Sequence, residues 1–156
     1  MQGLLTLVCA AGSGVMAGVF FVFSVAIMQA LRALPPPSGI AAMQSINIVI
    51  VNPLFLSVFL GTGAACAAAA VVSVTGWDTS GGWGTLAGSG FYLVGAVLVT
   101  MGFNVPLNNA LARVAPESGD GARIWADYLS RWTAWNHVRT LAALAAALSF
   151  LFARWA

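Results

Sequence analysis

Charge is what this sequence has least of. Only 6% of its 156 residues are charged: six arginines, no lysine and four acids, for a formal net charge of +2. A soluble domain carries about a quarter charged residues to keep its surface hydrated, so a shortage on this scale makes lipid the solvent. It also excludes a nucleic-acid surface, since no basic run or glycine-rich phosphate loop is present. Cysteine is scarce too. Cys9 and Cys66 lie inside apolar runs, without CxxC or histidine spacing, and read as small buried hydrophobes. Histidine occurs once, at His137, and no acid lies within an apolar run. A metal site needs about three or four ligands, and bis-histidine haem needs a second His. A catalytic triad needs an acid to orient His137. No metal or other cofactor is therefore expected. The start of the chain lacks a basic segment and an A-x-A cleavage site, and its first apolar run is too long for a signal peptide, so that run is expected to be a retained anchor.

What is abundant is apolar surface, at 60% of residues. Crossing a bilayer takes roughly 20 mostly apolar residues, and four runs qualify: 3–31, 52–74, 83–104 and 133–153. Backbone groups in lipid must be bonded within their own segment, so these runs are helices. The expected fold is a single domain over residues 1–156, all-α: a four-helix transmembrane bundle with a short interfacial helix after the first span. Small residues recur in every span: Gly14 and Gly18; Gly61 with Ala64, Ala65 and Ala67 to Ala70; Gly88, Gly90, Gly95 and Gly102; then the alanines of the last. Small faces let membrane helices approach closely, and these positions are expected to be the contacts.

Pro35-Pro36-Pro37 stops the first helix, and Ser38-Gly39 opens a short one over residues 40–51, where Gln44 and Asn47 interrupt an apolar pattern. A turn is expected over 77–82. Residues 104–131 read as a loop followed by a helix feeding the last span, with Arg123, Asp127 and Arg131 four apart. Trp125, Tyr128, Trp132 and Trp135 recur at three- and four-residue steps. They read as an aromatic belt at the headgroups, with a substrate-binding wall as the alternative. Arg32, Arg113, Arg123 and Arg131 come after the first and third spans, whereas Arg154 and the acid Asp78 lie on the opposite side. The positive-inside rule then places both termini outside an inner (plasma) membrane, with the connections 32–51 and 105–131 in the cytoplasm.

Alternating helix direction brings the polar residues to one end. Ser24 and Gln29 close the first span and Asn52 opens the second; Asn104, Asn108 and Asn109 close the third, and Asn136, His137, Arg139 and Thr140 open the fourth. The prolines at 53 and 106 free backbone carbonyls there. Two readings stand. These residues either cap helices at the water interface or line a cavity, since irregular backbone at membrane depth is tolerated where it lines one. Arg139 lies a turn or more inside its span, where an ionisable group marks a functional site by default; the alternative is snorkelling to lipid phosphates. At about 100° per residue, Trp132, Trp135, Arg139, Ala142, Ala143 and Ala146 share one face. His137 lies with Leu141, Leu144, Leu148 and Leu151 on the opposite one. Arg139 is thus expected to point inward, with no acid to pair with.

The stretches GVFFVFSVAIMQAL, AAMQSINIVIVNPLF, GFNVPLNNALA and WADYLSRWTAWNHVRT resemble the DUF1772, or anthrone oxygenase-like, family over nearly the whole chain, most specifically in NVPLNN and WTxWNHVRT. The resemblance implies a four-helix membrane protein. In fungal and bacterial polyketide pathways it also implies oxidation of an anthrone to an anthraquinone without metal or flavin. On that basis His137 and Arg139 are the candidate catalytic residues, as base and oxyanion holder. Asn52, Asn104, Asn108, Asn136, Gln44, Asn47, Trp132 and Trp135 are the candidate substrate-binding residues. The expected function is a cofactor-independent monooxygenase acting on a lipophilic polycyclic phenol or anthrone. The alternative is a non-catalytic module that binds a quinone or lipid, or an accessory subunit; a transporter would require four spans to oligomerise. The expected partners are the bilayer and a lipophilic small molecule, with no nucleic acid, and a homo-oligomer or larger membrane complex is compatible with the sequence.

Overall fold

The computed structural model describes residues 2–75 and 82–155, so the expected turn around Asp78 lies outside it. Four helices are long and apolar enough to cross a membrane: α1 (Gly3–Arg32), α3 (Pro53–Thr75), α4 (Gly82–Leu111) and the last, α5, whose apolar span is Gly121–Ala153. The short α2 (Pro36–Val49) comes directly after α1. Among the described residues all regular structure is helical and four helices can span a membrane, so the chain is an integral membrane helix bundle.

Each span packs against its neighbours in sequence, and α5 closes the ring by packing along α1. Neighbours run antiparallel: Gly84 of α4 meets Ala153 of α5, Gly95 meets Ala142, and Asn104 meets the Trp132 backbone. One apolar cluster fills the half of the bundle around Cys9, Met16, Cys66, Tyr92 and Phe150. A second, around Met43, Leu111, Trp125, Tyr128 and Trp132, fills the other end.

Three local expectations are corrected. The short helix begins at Pro36 rather than at residue 40, because Pro36 and Pro37 occupy its first turn, where no N–H is needed and the fixed φ suits a helix. α4 runs on to Leu111 through Pro106. A wide π-helical turn over Thr100–Asn104 precedes that proline and accommodates its missing donor. Another π-helical segment spans Phe23–Ile27 in α1, level with the polar residues. The third correction concerns glycine. Of the expected contacts, Gly88 is pressed on the Phe150 ring and Gly95 on Ala142, but a Cβ at Gly14, Gly18, Gly61, Gly90 or Gly102 would meet open space. The close contacts also include Gly12 on Thr62 and Gly84 on Ala153, which lie outside the expected set. Sequence spacing finds small residues but not the side of the helix that holds a neighbour. Gly12→Leu is accordingly expected to cost about 1–3 kcal/mol by overpacking. Gly14→Leu should stay within about 0.5 kcal/mol of wild type. Unfolding in mixed micelles measures both.

At about 1.5 Å per residue α5 reaches roughly 50 Å, well beyond the roughly 30 Å hydrocarbon core. Its first turns carry the exposed ion pairs Arg123–Asp120 (3.5 Å) and Arg131–Asp127 (3.3 Å). Arg123 thus pairs with Asp120, rather than extending the Asp127–Arg131 ladder.

Candidate functional site

The polar residues form a network inside the bundle. Arg139 is 6% exposed. Its Nη2 donates to Asn136 Oδ1 at 2.6 Å and its Nη1 to Thr100 Oγ1 at 3.2 Å. Asn136 donates in turn to the Phe20 carbonyl and to Ser24 Oγ, both at 2.7 Å. Thr140 donates to the Asn136 carbonyl at 2.9 Å, and Thr100 donates to the Ala96 carbonyl at 2.7 Å. Asn136 is therefore fully satisfied and ties α5 to α1 beside the latter's π-helical segment. Thr100 lies four residues before Asn104, so both face the same side of α4. That spacing is the signal in the sequence for Thr100, which residue type and depth alone pass over.

The guanidinium itself is left short of partners. Of its five N–H donors, two are used, and Nε is buried without a partner. The acids among the described residues, Glu117, Asp120 and Asp127, are all exposed and outside this network. Two rings cradle the charge, Phe20 at 4.4 Å and Trp132 at 5.1 Å from ring centroid to Cζ. Such contacts are worth about 2 kcal/mol when desolvated, less than the several kcal/mol that burying an ion costs. The balance favours an anion beside Arg139.

There is room for one. A cavity of about 290 Å³ is lined by Arg139, Thr100, Asn108, Asn47 and Trp132, with Phe20, Phe23, Phe55 and Phe59 among its apolar walls. Asn108 Oδ1 accepts from Trp132 Nε1 and from Tyr128 Oη, each at 2.8 Å. An indole N–H only donates, so it fixes which way this amide points and leaves the Asn108 NH₂ as a donor at the cavity wall.

The other candidate residues divide. Asn104 is buried and donates to the Trp132 carbonyl at 3.2 Å, behind the cavity wall. Gln44 donates to the Leu111 and Val114 carbonyls, at 2.9 Å each, and so caps the end of α4. Asn52 caps α3: its Oδ1 accepts from Phe55 N and its Nδ2 donates to the Val49 carbonyl, both at 3.0 Å. For these two the capping alternative describes the geometry. Trp135 stacks on Phe103 at 3.7 Å and is not among the lining residues. His137 is exposed on the outer face of α5, also away from the lining, so the structure does not bring it to Arg139. Trp125, Tyr128 and Trp132 are buried and stacked in sequence, which corrects the expectation of a headgroup belt: the stripe faces α2 and α4 rather than lipid. Cys9 and Cys66 are free and buried in the opposite half.

No curated protein and no solved structure matches the chain. Residues 55–149, well over half of it, match the family model described as anthrone oxygenase.

Proposed function

The chain belongs to the anthrone oxygenase family, and from that premise we propose that the Arg139 cavity binds a lipophilic anthrone or polycyclic phenol as its oxyanion and presents it to O₂. The observation that carries this reading is a buried arginine with undonated N–H groups and no acidic partner among the described residues, set in the wall of an aromatic-lined cavity. An anthrone is flat, apolar and acidic at the methylene opposite its carbonyl. Its enolate oxygen would accept from Arg139, with the Asn108 NH₂ as a second donor, and its rings would lie among Trp132 and the phenylalanines. Donors fixed in a site of low polarity stabilise such charge far better than water does. The methylene proton leaves to water, and the carbanionic carbon combines with O₂. The peroxide so formed takes up a proton and loses water to leave a new C=O. In sum, CH₂ and O₂ give C=O and H₂O, with one oxygen atom in each product. Every electron comes from the substrate, so the step uses no metal or flavin.

The lining contains neither a carboxylate nor a histidine. That favours, as a second reading, a non-catalytic module holding a quinol or lipid anion on the same arginine. Turnover separates the two. Purified protein given anthrone under ¹⁸O₂ is expected to yield anthraquinone carrying one ¹⁸O; binding without product would leave the module. His137→Ala is expected to keep near-wild-type turnover and stability within about 0.5 kcal/mol, as for surface changes generally. A large loss of turnover would restore His137 as the base. Arg32 at the end of α1 and Arg113, Arg123 and Arg131 after α4 support a cytoplasmic cavity end, which cysteine labelling of residues 113–120 in sealed vesicles would test.

A further inference from the structure

Of the residues lining the cavity, three are exposed: Val51 at 63%, Leu60 at 52% and Met101 at 58%. All are apolar. Leu60 belongs to α3 and Met101 to α4, while Val51 lies between the end of α2 and the start of α3. These two spans pack on each other along residues 82–98 of α4, whereas residues 100–104 pack instead on α5. The gap this leaves is flanked by Leu56 and Leu60 on one side and by Met101 and Val105 on the other, all of them cavity-lining. Leu60 lies seven residues beyond Pro53, so it stands roughly 10 Å in from the start of α3, at hydrocarbon depth. Packed clusters flank the cavity, one around Met43, Leu111, Tyr128 and Trp132 and the other around Phe59, Tyr92 and Ala96.

We propose that the ligand enters sideways from the hydrocarbon, between α3 and α4, with Leu60 and Met101 as the jambs that select what passes. The inference rests on the reading of the cavity as the substrate site. A mouth without a single polar side chain, opening into acyl chains, admits neutral, membrane-dissolved molecules and rejects those already charged. The ligand class is therefore a weak carbon or phenolic acid that is neutral in the bilayer and ionises only on reaching Arg139. Permanently anionic or conjugated relatives of the same ring system are excluded by the route rather than by the pocket.

The test is kinetic, because a gate alters the barrier and not the end states. In proteoliposomes, anthrone binding is followed by stopped-flow quenching of tryptophan fluorescence, Trp132 being in the cavity wall. The pair Leu60→Phe, Met101→Phe is expected to slow association and dissociation alike by about tenfold, with Kd kept within about twofold. The pair Leu60→Ala, Met101→Ala should speed both. Leu98→Phe, on the exposed side of α4 but outside the lining, should change neither. Anthraquinone-2-sulfonate added to the outside should not quench. Unchanged rates in the Phe pair, or rapid quenching by the sulfonate, would overturn the lateral route. Gated binding without ¹⁸O-labelled product would sink the oxygenase reading and leave the portal standing. Turnover with ungated binding would do the reverse, and wild type that fails to bind anthrone would sink both.

Discussion

Arg139→Met is expected to leave the bundle at least as stable as wild type while cutting anthrone oxidation by about 10²–10³-fold, the usual effect of removing an oxyanion donor. The two outcomes share a cause. In the unliganded protein the guanidinium is buried, holds two hydrogen bonds and two ring contacts, and has no counter-charge among the described residues. Its desolvation costs several kcal/mol. Methionine fills much of the same volume and removes that cost. Asn136 Oδ1 loses its partner, a penalty of about 1–3 kcal/mol, which is the smaller of the two. A group that lowers stability while it raises activity is the signature of a binding charge rather than of a structural one. Thermal unfolding in detergent and the oxidation rate, measured on the same sample, check both halves. A large loss of stability would mean that Arg139 is structural.

Asn136→Leu, by contrast, is expected to fail on both measures. The Asn136 amide satisfies the Phe20 carbonyl, Ser24 Oγ and Arg139 Nη2 at once. A leucine would strand the Phe20 carbonyl and the Arg139 N–H inside the bundle and leave Ser24 Oγ only its 3.5 Å contact with Thr140 Oγ1. Hydrogen bonds between membrane helices are worth about 0.6–2 kcal/mol each, so three lost together should cost roughly 2–5 kcal/mol. The link between α1 and α5 would loosen, and Arg139 would lose its shortest anchor. Asn136→Asp offers a contrast. It keeps the acceptor and supplies the missing counter-charge, and Ser24 Oγ can turn to donate to it, but the bond to the Phe20 carbonyl is lost. Stability should therefore fall less than in the leucine variant while the arginine is neutralised as an anion site. The contrast between the leucine and aspartate variants separates bundle integrity from anion binding.

The spans were legible because an apolar run of bilayer length has few other fates, and α1 and α3 end within a residue of where hydropathy places them. The inward face of Arg139 was legible too, because angular stepping along a regular helix such as α5 is reliable. Where the helix departs from regularity, the same stepping says less. The π-helical turns at Phe23–Ile27 and Thr100–Asn104 rotate the residues beyond them, and no residue type announces such a turn. The division of the asparagines was hidden for another reason. Asn52 and Asn108 have the same chemistry near the same end, and only their partners make one a cap and the other a cavity donor. Trp132 and Trp135 were likewise indistinguishable by type. One lines the cavity and the other stacks on Phe103, because they stand three residues apart on a helix with two different neighbours. His137 is the sole histidine, yet scarcity carries no information about direction.

The central claim is that the cavity stabilises an oxyanion on Arg139, and the absorption spectrum of bound anthrone tests it most directly. The enolate of an anthrone absorbs at longer wavelength than its keto form. Anaerobically, at a pH where anthrone in detergent alone is neutral, wild-type protein should develop the enolate band on binding, and Arg139→Met should bind the neutral form without it. The same neutral spectrum on both proteins would contradict the account.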